Sequence, residues 1–311
     1  MAENIESTSH EEKLQNHNIA VVTTTFYKEW SAAQTGSAIN SDQLRGDLAI
    51  QTLQQAKEKG YQLVVVDGGS SGEFKNFLRG IGVDVRDQEE KGMSASRRQT
   101  FREAAVLPGV EAICWTEPEK ISMIENLKEA ARPIIDGSAD IVIPARTAQS
   151  FKTYPEQQVR SEKELNRLFS RVLRLTGLLP KNSWDMDLSF GPRIFKNSPE
   201  ILSLFTNQFR LKENSKLAQT VKPDNYSNAT FFPIMLALEK KLRVIPVPID
   251  YVHPKIQTEY ETGNTEYEHK RIGQKNDIVK GAIQLARYLI NNPQKPSELL
   301  VLNSPINARV E

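Results

Sequence analysis

The sequence predicts an α/β fold: a mixed, mostly parallel sheet flanked by helices on both faces. Three observations predict it. The candidate strands are apolar along their whole length, as strands covered on both sides must be. They alternate with stretches of helical periodicity. Each early strand stops in a short polar cluster, and ligands of such sheets bind beyond the carboxyl ends of the strands. The 311 residues, 39% hydrophobic and 25% charged, suit an ordinary globular chain.

The elements follow in order. Residues 1–17 are polar and read as a disordered leader with nothing to bury. NIAVVTTTFY (18–27) is a buried strand running into a long polar loop over residues 28–44. Residues 45–59 carry Leu48, Ile50, Leu53 and Ala56 as a helical stripe closed by Gly60. YQLVVVDGGSSGEF (61–74) starts as a second buried strand and stops at Asp67-Gly68-Gly69. A short helix near 74–79, a short strand in GVDVRD and a helix over 94–106 come next. VEAICWTEPEK (110–120) is a strand and a turn, leading to a helix with Ile121, Ile124, Leu127 and Ala131 on one face. ADIVIPAR (139–146) is strand-like again.

The second half is less regular. Leu168, Phe169 and Val172 give a helical stripe over 165–175, closed by Gly177. WDMDLSFGPRIF (184–195) reads as a loop and a strand. Residues 231–241 form a helix with Pro233 in its first turn. RVIPVPIDYVHP (243–254) is a strand that Pro246 and Pro248 place at an edge or bulge. Ile278, Ala282, Leu285 and Leu289 mark a last amphipathic helix, and residues 292–311 read as a mobile tail. With no internal repeat and no low-complexity linker, one domain is expected over 18–291.

Charge and composition narrow the partners. A formal net charge of +1 gives no broad footprint for nucleic acid or an anionic membrane. No run of about 18 apolar residues exists, so no transmembrane segment is expected. The N-terminus has no apolar secretory region. Cys114 is the only cysteine, which suits reducing conditions. These features lead to the expectation of a cytoplasmic protein.

Three strand ends fall at Thr23–Tyr27, Asp67–Ser71 and Glu117–Glu119, and the parallel pattern brings them to one edge. Asp67 can accept hydrogen bonds from a base or ribose while Gly68 lets the backbone approach a ligand; alternatively Asp67 caps a glycine turn. KGMSASRR (91–98) places Gly92 before a helix, Ser94 as a cap, and Arg97 and Arg98 in the first turn, which suits a diphosphate or else an ordinary surface helix. Glu117 and Glu119, one residue apart at a strand end, can hold a hard divalent cation. Alternatively, Thr116 and Glu119 form a capping box with Pro118 in the first turn. His253 is either a metal ligand or a structural imidazole. Asp185 and Asp187 either orient an acceptor hydroxyl or are solvated loop carboxylates.

Taken in order, these pieces resemble the family 2 glycosyltransferases and related GT-A enzymes, over roughly residues 18–289. NIAVVTTTFY stands where that family has its first strand and base-contacting loop, with Thr23, Thr24 and Thr25. LVVVDGGSS resembles its nucleoside-binding strand end, and ICWTEPEK occupies the position of its DxD motif. DMDLSFGPRIF resembles the acceptor-side strand, and ALEKKLRVIPVPIDYVHP the late helix and strand. EHKRIGQKNDIVKGAIQLARYL is similar to the basic loop and last helix of the dolichyl-phosphate sugar synthases, which brings in Arg271 and Lys275. The resemblance implies a GT-A (Rossmann-like) domain with a nucleotide-binding half over 18–146 and an acceptor half over 147–291. It implies a nucleoside diphosphate sugar donor and a hydroxyl acceptor on a small molecule, glycan or lipid. It also implies a Mn²⁺ or Mg²⁺ ion on Glu117, Glu119 and His253. Two departures stand out. Glu-Pro-Glu replaces the usual aspartates, and the acidic pair before the late helix is replaced by SNATFFP (227–233), with Asp224 the nearest carboxylate. Asp187, Asp185 and Asp224 are therefore the substitutes for a catalytic base. Two rival readings stand beside this one. A sugar-phosphate nucleotidyltransferase would carry a Gly-rich loop after its first strand, whereas here no glycine occurs until Gly36. A non-catalytic nucleotide-sugar-binding protein descended from a transferase would fit both departures.

Overall fold

The structure, a computed structural model, describes residues 15–33, 40–210, 228–291 and 300–302. The start of the expected leader, most of the expected tail and Asp224 lie outside them. Seven strands form the main sheet, in the order β3-β2-β1-β4-β6-β5-β8. They are β1 (Ile19–Thr25), β2 (Gln62–Asp67), β3 (Val85–Asp87), β4 (Ala112–Trp115), β5 (Ile141–Arg146), β6 (Arg193–Lys196) and β8 (Val244–Ile249). β7 (Gln208–Arg210) pairs antiparallel with β9 (Leu300–Leu302), which lies in the stretch read as a tail. The domain is Rossmann-like: all main-sheet neighbours run parallel except β6, which is antiparallel to both β4 and β5.

The central strands bury both faces, as their composition requires. Ala20 and Val22 of β1 enter one apolar cluster with Ile113 and Trp115. Ile19 and Val21 enter another, with Cys114 and Val142. The first cluster is closed by α3 (Met93–Ala105), α6 (Glu156–Leu175), α7 (Pro199–Thr206), α8 (Asn228–Glu239) and α10 (Thr265–Asn291). The second is closed chiefly by α4 (Ile121–Ile135), through Met123, Ile124 and Leu127. β8 lies at the sheet edge beside β5, where Pro246 and Pro248 leave no interior ladder short of a donor.

Two helices start before the residues their apolar stripes indicate. α1 runs Ser41–Glu58 because Asn40 caps it, accepting from the Gln43 amide at 2.6 Å. α6 begins at Glu156 rather than near 165, since its first turns carry mostly polar residues. α2 (Gly72–Gly80), the single turn α5 (Ala148–Phe151) and α9 (Lys255–Glu261) complete the set. Among the described residues no helix is long and apolar enough to cross a membrane.

The sheet order sets the functional geometry. The chain winds outward from β1 to β2 to β3, then crosses back to place β4 on the other side of β1. The β1/β4 boundary is thus a topological switch point, where loops diverge and leave a crevice. Register fixes the edge: Thr25 lies opposite Asp67, and Val22 opposite Trp115.

Phe195 of β6 anchors the first cluster. Its ring stacks on Phe205 at 4.0 Å and meets Phe101 edge-on at 5.2 Å. Phe195→Ala is expected to lower stability by about 3–5 kcal/mol. A shifted urea midpoint with an unchanged denaturant slope is the check.

Candidate functional site

One side of the crevice is built on Asp67. Its carboxylate is buried, and one oxygen accepts from Thr25 Oγ1 at 2.7 Å. The other accepts from the Gly69 and Ser70 amides at 2.9 and 2.8 Å. Asp67 therefore caps the glycine turn, one of the two roles expected of it. The Gly68 amide donates to Thr25 O at 2.8 Å, locking the turn to β1. Phe26 lies over this turn with half its surface exposed (52%), and a Cβ at Gly68 would stand 3.3 Å from its ring. Thr23 faces inward and donates to the Thr116 carbonyl at 2.8 Å, while Thr24 is half-buried. The ends of β1, β2 and β4 share one rim.

Glu117 and Glu119 part company there. Glu119 turns back beneath β1, accepting from the Tyr27 hydroxyl at 2.8 Å and pairing with Arg45 at 2.6 Å. Burial, then the Glu119 carboxylate, pushes the Tyr27 phenol well above its ordinary pKa. No capping box forms, because Thr116 Oγ1 contacts the Glu117 carbonyl and α4 begins only at Ile121. Glu117 instead rests against Gly191, where any Cβ would collide with its carboxylate. Its Oε2 is buried without a hydrogen-bond partner. The nearest cation is Lys120 at 4.0 Å. The Lys120 ammonium lies 4.7 Å over the Phe190 ring and 5.5 Å over Tyr251. Burial alone would lower its pKa, but Glu117 together with Tyr154 and Tyr251 outweighs this and holds it above the usual lysine range.

The far side is organised by a buried guanidinium. Arg146, at the end of β5, donates from Nε and a terminal nitrogen to the two Asp187 oxygens, each at 2.8 Å. It also pairs with Glu162 at 2.6 Å and lies 4.6 to 4.9 Å over Phe151, Tyr154 and Phe190. Asn166 donates to Asp187 at 2.7 Å. Burial alone would raise the Asp187 and Glu162 carboxyls; Arg146, joined by Asn166 at Asp187 and by Arg271 and Gln158 at Glu162, overrides it and holds both below their usual range.

Several expected site residues lie elsewhere. Asp187 is neither a solvated carboxylate nor an open base, because its oxygens are held by Arg146 and Asn166. Asp185 pairs with Arg174 near the far end of α6, about 12 Å along the helix from Asn166. Gly92, at a positive φ of 119°, is the cap of α3 in place of Ser94. Arg97 and Arg98 are buried, and Arg97 stacks 5.1 Å over Trp115 and donates to Thr230. The helix starts at Met93, which puts both arginines past its first turn. Arg271 donates to Glu162 at 3.0 Å and Lys275 to Glu164 at 2.8 Å, so both face α6. His253 stacks on Tyr154 at 4.2 Å with Nδ1 unpartnered, and Glu261 stands 3.8 Å from Nε2. Burial pushes its pKa down, which keeps the imidazole neutral. Among the described residues no three His, Cys, Asp or Glu side chains are grouped to hold a metal ion. The expected set of Glu117, Glu119 and His253 is therefore not assembled: Glu119 is tied to β1 and His253 to Tyr154. Lys120, Arg146, Tyr154 and Tyr251 were not foreseen. The only signals were a lysine closing TEPEK and an arginine ending an apolar strand.

No family model matches the chain, and no curated protein does. Solved structures do. A mycobacterial protein matches at 13% identity with a TM-score of 0.55, over 90% of this chain and 78% of its own. Glucosyl-3-phosphoglycerate synthase from Mycobacterium tuberculosis, in complex with Mn²⁺, UDP-glucose and phosphoglyceric acid, matches at 12% identity with a TM-score of 0.53, over 90% and 83%. The same enzyme with Mn²⁺ and UDP-glucose matches at 12% identity and 0.50, over 88% and 82%. At these identities the likeness is one of fold. The chain shares the Rossmann-like layout of these structures.

Asp187→Asn is expected to cost about 3 kcal/mol, the lower end for a broken buried pair because Glu162 still faces Arg146. The Asp187 pKa is depressed in the fold, so its contribution is present above the unfolded value of about 3.9 and is lost as pH falls through the folded value. Urea midpoints measured from pH 7 down to pH 3 should fall less steeply in the variant than in the parent.

Proposed function

We propose that this chain is a GT-A-type glycosyltransferase that binds a nucleoside diphosphate sugar across the β1/β4 switch point and passes the sugar to a hydroxyl acceptor. The observation that carries this reading is the convergence of three parallel strand ends, at Thr25, Asp67 and Glu117, on one crevice edge. The fold likeness to an enzyme solved with UDP-glucose supports it. In this reading the nucleoside lies on the Gly68–Gly69 turn under the exposed Phe26 ring, and the diphosphate passes Glu117 toward β6. The acceptor approaches from the side of Phe190, Tyr251 and Tyr154. Among the described residues, the carboxylate nearest this passage that is neither locked by a guanidinium nor turned away is Glu117. Glu117 is thus the candidate to receive a proton or steer the acceptor hydroxyl.

A second reading keeps the binding and drops the transfer. It is favoured by the locking of Asp187 onto Arg146 and of Glu119 onto Tyr27 and Arg45, which removes two of the carboxylates expected to act. Release of free nucleotide from donor, with and without acceptor, separates the two.

Calorimetry against UDP, GDP and their sugars tests the common core. One nucleoside diphosphate should bind, and Phe26→Ala should weaken it by about 1–3 kcal/mol if the ring stacks on the base. Because Phe26 is half exposed, the same variant should keep the parent's thermal midpoint. Failure of every nucleoside diphosphate to bind would sink the reading. A second check uses Gly191→Ala. Its Cβ must displace the Glu117 carboxylate, so transfer or donor hydrolysis should drop while stability changes little.

A further inference from the structure

The fold relatives solved with UDP-glucose hold Mn²⁺, yet the rim of this chain offers that ion a poor seat. Of the two glutamates, only Glu117 keeps a carboxylate oxygen without a hydrogen bond; Glu119 is held by Tyr27 and Arg45. Hard divalent ions take about six oxygen ligands, and no three candidate side chains are grouped among the described residues. A dication on Glu117 would also lie against the Lys120 ammonium, 4.0 Å from the same carboxylate, and would be repelled by it.

The surroundings of Lys120 are unusual in a second, independent way. The buried Tyr154 and Tyr251 hydroxyls accept and donate no hydrogen bond, and neither does Nδ1 of buried His253, whose Nε2 faces Glu261 at 3.8 Å. The rings form one group: Tyr251 lies 5.9 Å from Tyr154, and His253 stacks on Tyr154 at 4.2 Å. Buried polar atoms without partners are rare in folded proteins and mark a place for a ligand or ordered water. Here one ammonium and two phenol donors gather beside the end of β4. That set suits an anion with many acceptor oxygens, and lysine serves phosphate as a compact point charge.

We infer that Lys120 is the resident cation of the site, supplying the positive charge for the donor diphosphate in place of a divalent metal, with Tyr154 and Tyr251 as supporting donors. This rests on the nucleotide-binding reading above. It replaces the three-residue metal site on Glu117, Glu119 and His253 with one side chain. Lys120 is rigidly placed, immediately before α4 and over two aromatic rings. The charge is therefore present before ligand arrives.

The test is calorimetry of the full chain with UDP and GDP, once in EDTA and once in excess Mn²⁺. Affinity in the two should agree within about twofold, whereas Lys120→Met should weaken binding ~10- to 100-fold in both, as loss of a charge-assisted contact does. Lys120→Arg should keep binding in EDTA, and urea midpoints verify that both variants fold. Direct titration of the nucleotide-free parent with Mn²⁺, read by the ion's paramagnetic resonance, should show no site and needs no variant. Binding that appears only with Mn²⁺ overturns the assignment and leaves the nucleotide reading standing, as does a folded Lys120→Met that binds like the parent. Absence of nucleotide binding in both conditions overturns the nucleotide reading and this assignment together.

Discussion

The second half of the molecule is arranged around one buried guanidinium. Arg146 ends an apolar strand, where an unpaired charge could not persist, so the chain must bring it partners. Those partners come from α6 through Glu162 and from the loop before β6 through Asp187, while three aromatic rings cover its faces. Three segments far apart in sequence are thereby fixed to one point. Glu162 passes the connection to Arg271 of α10. The pre-β6 loop, held also by the buried Arg193 side chain bonding its carbonyls, then sets Phe190 and Gly191 against Lys120 and Glu117. The shape of the crevice wall follows from where that charge had to be neutralised.

Most of the first half was legible in the sequence. Strands apolar on both faces, separated by helical stripes, left few alternatives to a covered parallel sheet, and the three strand ends met as their order implied. The late strand's prolines announced an edge, and β8 is one. What escaped was set by local chemistry rather than periodicity. Asn40 started α1 four residues before the apolar stripe, and the polar first turns of α6 hid its beginning. The antiparallel entry of β6 between β4 and β5 has no signature in a strand of only four residues, Arg-Ile-Phe-Lys.

The site was legible in position and less so in composition. Residue type indicated where carboxylates and cations gather but not which of them would bind each other. Asp187 reads as an available carboxylate, and only the fold shows that Arg146 satisfies it. The same holds for Glu119 with Arg45, and for Lys275 with Glu164. Arg97 near a helix start suited either a diphosphate or a surface helix, and its burial comes from Trp115 and Thr230, partners far away in sequence. Lys120 was passed over because a lysine at a helix start is usually a surface residue; its burial comes from rings contributed by the loops at β6 and β8.

The reversed direction of β6 has a consequence for how such a molecule can diversify. Parallel strands present their C-terminal loops at the rim, but β6 meets it at its beginning, so the connection from α6 is the one displayed there. Lengthening or rewriting that connection would remodel one bank of the crevice without disturbing the glycine turn on the other. Selectivity for whatever docks on the far bank can then drift separately from grip on the near one, and a common scaffold can serve many chemistries by editing a single segment.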